Sequence, residues 1–275
     1  DSERTSAYAT AIAKAAPGRV CLDVGTGALA LLALMAARAG AKHVYAVEAN
    51  VEAAQAARAA VADAGMAERV TVLDGYSTDV TLPEPVDLLV HEIFGELAGA
   101  EGVVAAIGDA TRRHMRPPVL DGTNSDAGAA AAAAPLSVPA HARSMVAPAE
   151  FPTSDYFSAL PFPMIAAPGA TALKLPNVPR SLLLAPAAPF EVLDFTALAP
   201  RSEHEHALAF VAARDGELRG LLVHIELDML PTSDRDAQQA AAAGAGGEGG
   251  GEGGGEGGGG EGGGGDGGGD GGGDG

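Results

Sequence analysis

The run Arg19 to Gly40, RVCLDVGTGALALLALMAARAG, decides the fold. Its first part, RVCLDVG, is a short β-branched and apolar segment halted by glycine, which suits a strand buried in a parallel sheet. ALALLALMAARA over residues 28–39 follows as a helix, closed by Gly40. HVYAVEAN is a second strand ending in an acid, residues 51–64 are a helix closed by Gly65, and RVTVLDG is a third strand. VDLLVHE is a fourth, followed by a helix from Gly102 to Met115. Ahead of them all, Arg4 to Ala16 carries Tyr8, Ile12 and Ala15 at helical spacing, stopped by Pro17-Gly18. Short, regular alternation of strand and helix calls for a parallel sheet covered on both faces.

After Pro117 the pattern changes. Residues 119–136 read as a low-complexity loop. The segments SVPAHARSMVAP, SLLLAP, FEVLDF, ALAFVAARDG and ELRGLLVHIELDML then read as antiparallel strands, with Asp215-Gly216 as a hairpin turn. The predicted architecture is therefore α/β: a Rossmann-like domain over residues 1–118, then an antiparallel β-barrel-like domain over 137–230. Residues 231–275, rich in Gly, Asp and Glu and poor in apolar side chains, read as a disordered tail. Of the net charge of −19, seven units come from tail acids between Glu248 and Asp274, leaving −12 for the rest. Such an acidic body disfavours nucleic acid as a partner and favours a cationic one. No apolar run is long enough to cross a bilayer. The single Cys21 excludes an intramolecular disulfide and reads as a small core residue. His204 and His206 have no third ligand nearby, so no metal site is expected. The chain opens at Asp1 rather than Met, which leaves room for a preceding segment; an intracellular protein of cytoplasm or nucleus is expected.

Asp23-Val24-Gly25-Thr26-Gly27 lies at the carboxyl end of the first strand, where glycine lets backbone amides approach a nucleotide. Glu48, 21 residues after Gly27, is placed for ribose hydroxyls. Gly25, Gly27 and Ala30 also satisfy a dinucleotide pattern, so NAD competes. Against it, the Asp23 carboxylate repels a pyrophosphate but suits a methionine ammonium, and the bulky Leu29 and Leu31 open the helix. Further on, Glu92 and Glu101 are separated by glycines, as in a loop returning over the pocket. Two converging carboxylates form an anionic clamp for a guanidinium. Glu96 is a third acid in that loop, and His91 adjoins Glu92. On spacing alone, solvated loop acids are an equal reading.

The stretches CLDVGTGALALLALMAARAGAKHVYAVEAN, STDVTLP and VDLLVHEIFGELAGAEG resemble, in order and spacing, the protein arginine methyltransferase family. DSERTSAY is similar to its N-terminal helix, and SVPAHARSMVAP, FEVLDF and GELRGLLVHIEL to its barrel. The resemblance runs from residue 1 to about 230. It implies S-adenosyl-L-methionine as cofactor, with Arg4 on its carboxylate, Asp23 and Gly25 at the methionine end, Gly27 also in the cofactor site, Glu48 on the ribose, and Ser77 and Thr78 beside the adenine. It makes Glu92 and Glu101 the catalytic pair that grips an arginine of a protein substrate, and it is compatible with a homodimer. The chain departs from the family in its GTGALALLA loop, which lacks a third glycine, and in lacking a Thr-His-Trp loop. A non-catalytic protein of the same fold and a methyltransferase with a different acceptor are the alternatives.

Overall fold

The computed structural model describes residues 2–117, 136–158, 173–196 and 207–231. The 119–135 loop, the tail from Thr232 and both His204 and His206 lie outside the described residues. The elements in chain order are α1 (Ser2–Ala15), β1 (Val20–Val24), α2 (Leu31–Arg38), β2 (His43–Glu48), α3 (Val51–Asp63), β3 (Val70–Asp74), β4 (Leu88–His91) and α4 (Val103–His114). They continue with β5 (Leu136–Val138), β6 (His141–Ala149), α5 (Ser154–Ser158), a short 3-10 turn (Arg180–Leu182), β7 (Ala188–Asp194) and β8 (Gly220–Asp228).

β1 to β5 form one parallel sheet in the order β3-β2-β1-β4-β5. β1 is buried along its whole length, as its apolar run requires. One face is covered by α1, α2 and α3, whose Ile12, Ala33, Ala37, Ala54, Ala57 and Val61 pack on Cys21, Val44, Ala46, Leu88 and Val90. The small residues let these helices lie close to the sheet. Asn50 caps α3 by accepting from the Ala53 amide (2.9 Å), which fixes where that helix starts. Cys21 is buried and free, its thiol pushed up to about 12 by burial.

The other face of the sheet carries α4 and the second sheet together. Val20, Leu22, Leu89, Val103 and Ile107 share a core with Ala142, Leu193 and Phe195. That second sheet has the order β7-β6-β8, antiparallel throughout, so among the described residues the antiparallel part is a three-stranded sheet rather than a closed barrel.

Three segments differ from the sequence reading. SVPAHARSMVAP divides: Ser137 and Val138 belong to β5, paired with Leu89 and Val90 of the parallel sheet, and His141 onward is β6. ALAFVAARDG forms no strand, and Asp215-Gly216 no hairpin. Side chains bind this segment instead: the Arg214 guanidinium donates to Glu150 Oε2 (2.7 Å) and to the Ser181 carbonyl (2.7 Å), and the Glu217 amide reaches Glu150 Oε1 (3.2 Å). In SLLLAP, Ser181 and Leu182 belong to the 3-10 turn, and Leu183 makes one isolated bridge to Ala149.

Candidate active site

In a sheet of order β3-β2-β1-β4-β5, the chain runs outward from β1 on one side and from β4 on the other. The crevice between the carboxyl ends of β1 and β4 is thus the topological switch point where ligands of open α/β sheets bind. The Asp23–Gly27 turn leaves β1 there, and the acidic loop leaves β4 there.

Asp23 is buried, and its Oδ2 accepts from Thr26 Oγ1 (2.6 Å) and the Ala33 amide (3.0 Å). Oδ1 has no partner. Burial raises the Asp23 carboxyl to about 6 against the lowering pull of those two bonds, and nearby Glu48 adds to the rise. Gly25 and Gly27 both take positive φ, +75° and +67°, which glycine adopts without strain. The Gly25 and Thr26 amides donate to the Val47 carbonyl (2.9 and 3.0 Å), so the turn is tied to β2. A Cβ on Gly25 would stand 2.5 Å from Cγ2 of Ile93.

α2 begins three residues later than its hydrophobic pattern predicts, at Leu31. Residues 27–30 are turn, and Ala30 takes φ +44°, a left-handed conformation uncommon for alanine. Ala30 is thus the third residue of this turn with positive φ, after Gly25 and Gly27. Leu29 is left exposed.

Glu48, at the end of β2, accepts from the Gly27 amide through Oε2 (2.9 Å) and from the Asn50 amide through Oε1 (2.8 Å). It bridges the glycine turn to the start of α3. Ser77 and Thr78 lie in the turn after β3, which Arg113 of α4 holds by donating to the Ser77 and Val80 carbonyls; the Thr78 hydroxyl meets Asp79 (3.3 Å).

Glu92 and Glu101 flank a loop that folds back on itself. A Cβ on Gly95 would lie 3.2 Å from Cγ of Glu101, so glycine makes the room in which Glu101 returns. Partial burial raises the Glu92 carboxyl, Arg4 opposes the rise and the negative charge of Glu101 adds to it. Arg4, expected beside a cofactor carboxylate, here pairs with Glu92 (Nη1 to Oε1, 2.7 Å). α1 is held against β4 by the Tyr8 hydroxyl, which donates to the His91 carbonyl (2.9 Å). Glu96 is exposed. The His91 ring makes no contact that would orient Glu92. It is buried between Phe94 and Phe195 (centroids 5.4 and 4.6 Å) with both nitrogens unpartnered, and burial lowers it to about 3.

Sequence reasoning missed Ser144 of β6 and Glu191 of β7. Ser144 Oγ accepts from the Ala98 amide (2.8 Å) and donates to Glu191 Oε2 (2.5 Å), which accepts from the Gly99 amide (3.1 Å). No motif announces them, because their meaning depends on a loop about 46 and 92 residues away in the chain. Among the described residues, no cluster of His, Cys, Asp or Glu could hold a metal, and no helix is long and apolar enough to cross a membrane.

Residues 9–100 match the family model described as ribosomal protein L11 methyltransferase. A probable histone-arginine methyltransferase 1.3 of Arabidopsis thaliana is 42% identical over 100 residues, 36% of this chain and 18% of that one. An arginine N(omega)-methyltransferase of Streptomyces achromogenes subsp. streptozoticus is 33% identical over 241 residues, 83% of this chain and 62% of that one. The chain thus spans less than two thirds of either relative's length. A solved structure of the Trypanosoma brucei PRMT1 enzyme-prozyme heterotetrameric complex with AdoHcy superposes with a TM-score of 0.54 at 22% identity, covering 72% of this chain and 60% of that one, and shares its fold. The match over 241 residues takes in both the parallel and the antiparallel sheet, so the likeness to an arginine methyltransferase extends across the two, and the solved structure shares this fold.

Proposed function

We propose that the protein is an S-adenosyl-L-methionine-dependent methyltransferase that acts on a guanidino nitrogen of arginine in proteins. The observation that carries this reading is the contact between the two halves of the site. Ile93, next to Glu92, lies directly against Gly25, so the glycine turn and the acidic loop adjoin. The residues fit the cofactor. Asp23 offers a buried oxygen without a partner, suited to an ammonium. Glu48 has four lone-pair sites, of which backbone amides use two, leaving two for ribose hydroxyls. Gly27 has open space where a Cβ would stand and Gly25 lies against Ile93, while Ser77 and Thr78 are assigned to the adenine side. Arg4 is assigned to the cofactor carboxylate.

The cofactor supplies an electrophilic methyl group. Glu92 and Glu101 would hold the guanidinium by charge-assisted hydrogen bonds and aim one nitrogen, so that orientation and charge complementarity provide most of the acceleration. Carboxylates near an attacking nitrogen also stabilise the positive charge that stays on the acceptor. The acidic surface draws basic peptides. We place the protein in cytoplasm or nucleus, in keeping with the histone-directed name of one relative; a homodimer is the assembly we infer.

The test is transfer of a labelled methyl group to an arginine-rich protein and to free L-arginine, with amino-acid analysis of each product. The name of the relative matched over most of this chain speaks of arginine without specifying protein, which makes free arginine the second reading. Label in omega-N-methylarginine of the protein supports the first reading. Label in free arginine alone selects the second, and cofactor binding without transfer to either marks a non-catalytic member.

Asp23 makes cofactor binding pH-dependent. Its carboxyl is raised to about 6, so it is protonated and neutral below that pH and must ionise to pair with an ammonium. Affinity for S-adenosylhomocysteine is expected to rise about tenfold from pH 5 to pH 7 and then level off. Calorimetry across that range checks it, and a flat profile removes Asp23 from the methionine end. Asp23→Asn is expected to abolish the slope.

A further inference from the structure

The acidic loop is fastened to the second sheet at its tip. We infer that Ser144 and Glu191 are positioning residues that set the separation and aim of Glu92 and Glu101, an inference resting on the reading of those two acids as the arginine-binding pair. Ser144 and Glu191 face each other across β6 and β7, next to a register shift between Ser144 and Met145. Irregularities of this kind redirect side chains out of the regular pleat. Both side chains turn to the loop: Ser144 Oγ takes the Ala98 amide and Glu191 Oε2 takes the Gly99 amide, while the serine hydroxyl donates to the same carboxylate oxygen.

The fit is close on the loop side as well. A Cβ on Gly99 would meet Glu191 Oε1, so a larger residue there displaces the carboxylate end from its present place. Ala98 and Ser144 are fully buried, so their bond is made away from solvent, while the two bonds to Glu191 are part-buried. Two successive amides of the loop are held by one serine–glutamate pair. They lie between Glu92, which emerges from β4, and Glu101, which precedes α4. With the two ends fixed by those elements, the tip is the remaining degree of freedom. Glu191 is thus a third carboxylate of the acceptor side that acts through the backbone rather than on substrate.

The test uses Glu191→Ala, Glu191→Gln and Ser144→Ala in the full chain. The readouts are kcat and KM for an arginine-rich peptide, affinity for S-adenosylhomocysteine, and hydrogen exchange of the Ala98 and Gly99 amides. Glu191→Ala is expected to raise KM about tenfold, to change kcat less than about threefold, and to speed exchange of both amides about tenfold or more, the scale of one lost charge-assisted hydrogen bond. Cofactor affinity stays at the wild-type value. Glu191→Gln keeps an acceptor for Gly99 and recovers most of the KM. If Glu191→Ala does not fold, Ser144→Ala, which removes one hydroxyl, carries the same readouts. Unchanged exchange in these variants overturns the inference, as does a loss of cofactor affinity parallel to the rise in KM, or a glutamine variant as impaired as the alanine one. Accelerated exchange in a protein that methylates no arginine overturns the assignment of the acceptor while the fastening stands.

Discussion

Glu92→Gln lowers kcat/KM for arginine methylation by about 100- to 1,000-fold, the largest effect expected of any single change to the acceptor side. A guanidinium held by two carboxylates loses one of its ionic partners, and with it the orientation of the reacting nitrogen. The effect is confined to the reaction. Glu92 is about one-third exposed and its ion pair with Arg4 is half-exposed, so its contribution to folding is at most about 1 kcal/mol. Melting temperature therefore changes by no more than a few degrees, and affinity for S-adenosylhomocysteine stays within about threefold of wild type. Steady-state rates, a thermal melt and calorimetry on one preparation check all three. A fully active Glu92→Gln removes this residue from the acceptor site.

Gly25→Ala is expected to abolish measurable cofactor binding, a loss of about 100-fold or more. Two costs combine. Alanine at φ +75° is strained by about 1–2 kcal/mol. Its methyl also enters the space of Ile93, so the backbone that must approach the nucleotide shifts together with the start of the acidic loop. Gly18→Ala separates the two costs. Gly18 has nearly the same φ, +71°, but a Cβ there meets nothing within 4 Å. The Gly18 variant is expected to lose the stability due to strain and to bind S-adenosylhomocysteine as wild type does. Equal binding by both variants would place the cofactor away from this turn.

Much of the parallel-sheet half is legible in the sequence, because local signals and burial agree there. The apolar run 20–24 between Arg19 and Gly25, the cap at Asn50, and Gly65 after α3 each act within a few residues of where they stand. The start of α2 departs from its hydrophobic pattern for a local reason. Leu29 continues the apolar pattern, but it is exposed in a turn that ends with Ala30 in the left-handed conformation. β5 is three residues long, too short to show a period, and takes its identity from pairing with β4. The segment before β8 is apolar and ends in Asp-Gly, yet Arg214 and Glu150 claim its polar groups before a ladder can.

The same division holds in the site. As candidates, Asp23, Gly25, Gly27 and Glu48 stand out in the sequence because one turn and one strand end carry them, and a hydrogen bond links Gly27 to Glu48. The return of Glu101 beneath Gly95 is likewise implied by the glycine spacing. The pairing of Arg4 with Glu92 spans 88 residues and has no sequence signal beyond the residue types. Ser144 and Glu191 have none at all, since a serine and a glutamate in strands are ordinary until a loop from elsewhere lies on them.

Only Pro139 and Ala140 separate the last strand of the parallel sheet from the first strand of the antiparallel one, and Ala142, Leu193 and Phe195 are buried in the same core as Leu22, Leu89 and Ile107. The cofactor-side sheet consequently cannot be cut free at the end of α4 without exposing the part of one face that the second sheet covers and discarding its fifth strand. Melting of one sheet exposes the interior of the other, so the two halves share a single fate on the folding landscape. Mutations that weaken the substrate side will register as lost cofactor retention at elevated temperature, even when they touch no cofactor-binding group.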